Sequence, residues 1–340
     1  MSSHPDQVLK ELKSGKYAPV YFLQGEEAFY IDQITNYIEE HCLQEADKGF
    51  NQTVLYGKDV NMGQVITNAR RFPMMAERQL VMVKEAKDIQ DLNKEEGQKL
   101  LLDYLDSPVP STVLVFAHKH KKLDGRKPLS KAVGKKALLV TTTKVKDWDL
   151  PKWIESHVSS KGLSIDYNSV QLLAEHVGNN LERLDNEISK IEINLNGQKQ
   201  ITQAHIQKYV GINKDYNVFE LQKALSTRDV LKATKIVNYF SANIRQHPII
   251  PMLALLYGYC TKLLILHSAK DKSDSGLAIA LRVPPFVLKE YKAAAGHYNL
   301  MKVMQNISHL READLKSKGV NAGSQKEQEI LRELIFKMMH

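Results

Sequence analysis

Two cysteines, Cys42 and Cys260, are all that the 340 residues contain. They exclude a disulfide framework, and they exclude a cysteine zinc site unless other chains contribute ligands. Such usage fits a reducing compartment, and a cytoplasmic location is expected. Residues Met1 to Lys16 are polar and hold no apolar run, so no secretory signal is read there. No membrane span is expected: the best apolar stretch, Ile249 to Cys260, is too short for one and contains Pro251. A phosphate-binding loop is missing as well. Gly15-Lys16, Gly57-Lys58 and Gly134-Lys135 are never followed by Ser or Thr, and the glycine needed five residues earlier is Lys10, Gln52 and Leu129 in turn. Nor is there a His-Glu-x-x-His, Gly-x-Ser-x-Gly or zinc-ligand pattern. No catalytic residue, cofactor site or metal site is assigned.

What is present is ordinary for a globular chain: 43% hydrophobic and 25% charged residues, with length for two or three domains. The net charge of +8 permits contact with nucleic acid without demonstrating it. Over roughly the first 145 residues, short apolar runs alternate with amphipathic stretches. Strands are expected at Val20–Gln24, Asn51–Tyr56, Gln79–Lys84, Thr112–Ala117 and Ala137–Thr142. Helices are expected between them, at Tyr30–His41, Met62–Arg70, Asn93–Asp106 and Lys127–Val133. This alternation predicts a parallel α/β sheet, and centres such as Val113-Leu114-Val115-Phe116 suit strands buried on both faces. After Thr143 no further strand is read. Lys144 to Pro151 reads as a linker, residues 146–211 as a small helical module and residues 212–340 as a second helical region. Leu181, Leu184, Ile188, Ile191 and Leu195 follow a 3, 4, 3, 4 spacing, one face of a helix opened by Gly178-Asn179-Asn180. The apolar segment Pro248 to Ala269 reads as a core helix.

Three local features bear on function. The apolar run Val20-Tyr21-Phe22-Leu23 leads through Gly25 into a helix beginning at Glu26 and Glu27. Two carboxylates complement a helix dipole but repel a nucleotide, so ATP hydrolysis is not expected. First-turn helix acids fully explain these two residues. Second, Phe72-Pro73-Met74-Met75 lies between a helix and a strand. It is either an apolar wedge for a pocket on a partner or a buried turn of the core, and residue chemistry alone favours the buried turn. Met, pliable and polarizable, suits an adaptable contact. Third, His118–Lys136 holds eight Lys and Arg, including Lys119, Lys121, Lys122 and Arg126, against the single acid Asp124. It could meet phosphates, but it lacks interleaved aromatics for base stacking, and a solvated face is the favoured reading.

Taken in order, four segments resemble the delta subunit family of bacterial DNA polymerase III, part of the sliding-clamp loader. Val20-Tyr21-Phe22-Leu23-Gln24-Gly25-Glu26-Glu27 is similar to the family's tyrosine-x-leucine-x-glycine-x-glutamate start. Phe72 to Val81 is similar to its clamp-binding segment, Gly178 to Glu187 to a stretch of its second domain, and Ile279 to Phe286 to its C-terminal helical region. The resemblance implies an AAA+-like α/β domain without a nucleotide site over residues 1–145, a helical lid over 146–211 and a helical collar for oligomerisation over 212–340. It implies a subunit that is not catalytic by itself. Such a subunit binds the β sliding clamp through Met74 and Met75, supported by Phe72, and helps to open it. The implied partners are the tau/gamma and delta-prime subunits and primed DNA, with Lys119, Lys121, Lys122 and Arg126 as phosphate contacts. The family commonly carries Leu-Phe or Phe-Phe at the wedge; Met74-Met75 keeps the apolar volume and loses the ring. The zinc module and Ser-Arg-Cys motif typical of the related delta-prime and tau/gamma subunits are absent. One rival is an active AAA+ ATPase with an atypical nucleotide site. Another is a stand-alone DNA-binding protein, which no single helix here is basic enough to favour.

Overall fold

Strands with no polar face must be covered on both sides, and that requirement shapes the first half of the chain. The computed structural model describes residues 3–211, 216–245 and 247–340. The chain divides into two units, Met1–Gln200 and Ile201–His340. The first unit begins with α1 (Pro5–Lys13), β1 (Val20–Gly25), α2 (Ala28–His41), α3 (Glu45–Asn51), β2 (Gln52–Tyr56), α4 (Met62–Ala69) and β3 (Gln79–Lys84). It continues with α5 (Glu95–Asp106), β4 (Thr112–Lys119), α6 (Pro128–Lys136) and β5 (Leu138–Thr142).

The five strands form one sheet in the order β2-β3-β4-β1-β5. Every pairing is parallel, with Val20 opposite Leu114, Tyr21 opposite Leu138, Gln52 opposite Leu80 and Gln79 opposite Thr112. Side chains alternate across it. Val20, Phe22, Val81, Leu114 and Phe116 face a core completed by α4, α5 and α6. Tyr21, Leu23, Leu80, Met82 and Val115 face the opposite core, closed by α1 and α2. The expected parallel α/β class is the one observed, and β3 has the expected limits.

Three helices complete this unit: α7 (Leu150–Ser160), α8 (Tyr167–Val177) and α9 (Leu181–Ile193). On α9, Leu181, Leu184, Ile188 and Ile191 are buried, as their spacing predicts. Asn180 caps it by accepting the Arg183 N–H at 3.0 Å.

The second unit is helical: α10 (Gln203–Val210), α11 (Val218–Ser226), α12 (Val230–Ala242), α13 (Ile249–Ser268), α14 (Asp274–Leu281), α15 (Pro285–His297), α16 (Leu300–Ser317) and α17 (Glu327–Met339). Its core gathers Leu225, Phe240, Leu256, Leu263, Leu310 and Leu334 around α13.

Several expectations are corrected. Two short helices, α1 and α3, went unread, and Asn51 ends α3 instead of starting β2. Pro151 does not close a linker; it sits in the first turn of α7, where a missing N–H costs nothing. Two-residue strands occur after Thr143, at Ser164–Ile165 and Gln200–Ile201. The apolar stretch of α13 is not too short for a span. The helix has 20 residues with mean hydropathy 1.8, because Pro251 lies in its first turn and does not interrupt it. Its Met252, Leu256, Cys260 and Leu263 are buried in the second unit's core, as a core helix requires. The expected boundary at 145/146 lies within the first unit. The one at 211/212 touches residues 212–215, which are outside the described residues.

Phe116 is fully buried, its ring 5.5 Å from that of Phe22. Phe116→Ala is expected to cost about 3–5 kcal/mol in urea unfolding. Ile279→Ala, at an exposed position on α14, should stay within about 0.5 kcal/mol.

Candidate functional site

The sheet has two ends: the Gly25 turn and the basic stretch lie at one, the Phe72–Met75 turn at the other. At the C-terminal end of β1 the chain turns at Gly25, with φ +134°. A Cβ there would lie 2.1 Å from the Thr142 carbonyl oxygen, so only glycine fits. Two of the turn's N–H groups are engaged within the protein. Gly25 donates to the Lys121 carbonyl at 3.1 Å and Glu26 to the Thr142 carbonyl at 3.2 Å. The helix starts at Ala28, later than expected, with Glu27 as its cap accepting the Phe29 N–H at 3.3 Å. Thr142 Oγ1 donates to the Glu27 carbonyl at 2.9 Å. Burial raises the Glu27 carboxyl above its usual range, opposed by the Phe29 N–H.

The first turn of α2 is also covered. Trp153 of α7 donates from Nε1 to the Tyr30 hydroxyl at 2.7 Å. The Trp153 ring stacks on His157 at 4.6 Å and meets Phe29 edge-on at 5.6 Å. His157 Nε2 lies 2.7 Å from Asp185, and Lys161 reaches the same carboxylate at 3.3 Å. The His157 hydrogen bond is the main cause holding the Asp185 carboxyl below its ordinary value. This cluster joins α2, α7 and α9 through residues far apart in sequence, and no local pattern announces it.

The basic stretch lies near the same end, where its charges meet acids. Lys119 pairs with Asp32, Arg126 with Asp124 at 3.0 Å, and Lys122 stands 3.9 Å from Glu26. Among the described residues no acidic partner is seen for Lys121. Lys121, Lys122 and Lys127 line a cleft of about 130 Å³ with His118. Burial lowers the His118 pKa, which disfavours the charged form of that ring.

At the N-terminal end of the sheet the segment from Arg71 to Arg78 links α4 to β3. The residues alone favoured a buried turn; the structure shows the reverse. Phe72 is 81% exposed, Met74 56% and Met75 103%. Met75 has φ +53°, a left-handed conformation that costs a non-glycine residue about 1–2 kcal/mol. Buried polar side chains hold the backbone beneath. Asn51, 3% exposed, accepts the Met74 N–H at 2.6 Å and donates to the Met74 carbonyl at 2.9 Å. Gln79 Nε2 reaches the Arg71 carbonyl, the Asn68 carbonyl at 3.3 Å and Thr112 Oγ1 at 2.8 Å. Arg78 lies over the Tyr17 ring at 5.0 Å. Phe50, next to Asn51 in the chain, is an exposed aromatic that the sequence did not single out. Asn51 and Gln79 also went unread, because their partners lie 23 and 8 residues away along the chain.

Two predictions follow from this geometry. Peroxide should oxidise Met75 well before the buried Met62 and Met82, read by peptide mass spectrometry. The second concerns Asp185. A depressed carboxyl pKa adds stability that is present above the unfolded value, near about 4, and is lost as pH falls through the folded one. The stability difference between wild type and Asp185→Asn should therefore be largest near neutrality and shrink on acidification below about pH 4.

Comparison with known proteins adds relatives. The family model described as "DNA polymerase III, delta subunit" matches residues 21–143. "DNA polymerase III subunit delta" of Bacillus subtilis (strain 168) is 26% identical over 339 residues, covering 97% of this chain and 95% of that protein. "Probable DNA polymerase III subunit delta" of Aquifex aeolicus (strain VF5) is 22% identical over 261 residues, covering 75% of this chain and 72% of its own length. Among solved structures, the "DNA clamp loader delta protein" of Bacillus subtilis matches with TM-score 0.56 and 24% identity over 99% of both chains, which shows a shared fold. Residues 21–143 thus match the delta-subunit domain model, and the chain is similar along nearly its whole length to the Bacillus subtilis delta subunit.

Proposed function

We propose that this chain is a clamp-loader subunit that binds the β sliding clamp and helps to open it for loading onto primed DNA, without catalysis of its own. The observation that carries this is the exposure of Met74 and Met75 on a backbone fixed by buried hydrogen bonds. Burying exposed apolar side chains is the main favourable term in protein association. Met74 and Met75 enter an apolar pocket on the clamp, with Phe72 beside them. Burial of two such side chains contributes roughly 2–5 kcal/mol. The clamp opens because the wedge binds better to a ring with one interface relaxed; a ligand shifts an equilibrium only by differential affinity.

Residues 1–145 act as the AAA+-like scaffold, 146–211 as the lid and 212–340 as the collar that assembles with the tau/gamma and delta-prime subunits. Those neighbours supply the ATP energy, and the assembly works in the cytoplasm. The occupied N–H groups around Gly25 and the cover over α2 support a subunit that leaves nucleotide to others. For DNA, the pairing of Lys119, Lys122 and Arg126 with acids shifts the phosphate role toward Lys121 at the cleft.

In a direct binding assay with the β clamp, the Met74→Ala, Met75→Ala double variant should lose at least about thirtyfold in affinity. Unchanged affinity overturns the wedge. Micromolar binding of ATP to the isolated chain overturns the non-catalytic assignment in favour of an atypical ATPase.

A further inference from the structure

We propose that Asn51 is the positioning residue of the clamp contact: its buried carboxamide closes on both backbone polar groups of Met74 and holds the turn that projects Met75. This rests on the assignment of Met74 and Met75 as the contact. Pro73 has no N–H, so Met74 is the first residue after Phe72 whose N–H and carbonyl can both be gripped. Asn51 grips both, as a neighbouring strand would, with Oδ1 2.6 Å from the Met74 nitrogen and Nδ2 2.9 Å from its carbonyl oxygen. The second Nδ2 proton goes to the Asp47 carbonyl at 3.2 Å, which ties the same amide to α3.

The carboxamide chemistry is specific. Asp has no donor for the Met74 carbonyl, and Ser cannot span both groups. Because Asn51 is buried and both its donors are used, the grip is rigid, and Met75 is carried one residue beyond it in a left-handed conformation. A turn left free would populate that conformation only part of the time, and the apparent affinity would fall by the populated fraction.

The test uses the full chain and the β clamp. Asn51→Ala and Asn51→Asp should each weaken clamp binding about tenfold. In the Met74→Ala, Met75→Ala background, Asn51→Ala should add nothing, because Asn51 acts only through the turn. Hydrogen exchange gives a readout that general loosening would not reproduce. The Met74 amide should lose its protection in Asn51→Ala while the amides of Leu80 to Val83 in β3 keep theirs. An equal loss of affinity in both backgrounds, no loss in the parent background, or loss of protection across β3 overturns the proposal. If the methionine double variant itself binds normally, the clamp assignment fails, and the proposal, which rests on it, falls too. Normal binding by Asn51→Ala beside a crippled double variant overturns the positioning role alone.

Discussion

The parallel sheet imposes a polarity on the first unit, and its functional features sort by that polarity. Since each strand runs with its neighbours, all strand starts lie at one edge and all strand ends at the other. Gly25, Lys119 and Thr142 close β1, β4 and β5 at the carboxyl edge. Asn51 precedes β2, while Gln79 and Thr112 open β3 and β4 at the amino edge. Open α/β sheets take ligands in the crevice outside the carboxyl ends of their strands. In this chain that edge is occupied by protein groups. The exposed apolar turn grows from the opposite edge, fixed at the entrances of β2, β3 and β4.

Hydrogen-bond accounting explains the closed edge. A phosphate site needs backbone N–H groups that point outward without partners. Around Gly25 those groups already meet carbonyls of Lys121 and Thr142 and the Glu27 carboxylate. Binding a phosphate there would break each of these bonds and bring a third negative group beside Glu26 and Glu27. The aromatic cover of Phe29, Trp153 and His157 adds apolar burial that opening would forfeit. Loss of a nucleotide loop in the sequence and closure of the turn in the structure are thus two aspects of one arrangement.

What was legible in the sequence was local and periodic. The alternation of apolar runs predicts the sheet, and the 3 and 4 spacing of Leu181, Leu184, Ile188 and Ile191 predicts the buried face of α9. What escaped depends on partners distant in the chain. The seven residues of α3, Glu45 to Asn51, lack an apolar stripe, so the helix is invisible to periodicity. Asn51 adjoins the β-type run Thr53-Val54-Leu55-Tyr56 and reads as part of it. The charge excess of His118–Lys136 is real within that window, yet Lys119 and Lys122 meet Asp32 and Glu26 from α2 and its entry turn. Exposure of Met74 and Met75 is likewise undecidable from hydrophobicity, because an apolar turn can be core or contact.

The methionine pair gains its meaning from the backbone that carries it. A flexible, polarizable side chain adapts to a pocket, but it brings more rotamer entropy to lose than a ring does. A backbone fixed before binding removes the larger part of the ordering cost and leaves only the side chains to settle. Asn51, Gln79 and Arg78 supply that fixation from the entrances of β2 and β3. In the proposed role, then, a pliable contact stands on a rigid mount, and the sheet transmits the position of the wedge to the rest of the α/β domain. A substitution that leaves both methionines intact but frees the mount would therefore act on the same step as one that removes them.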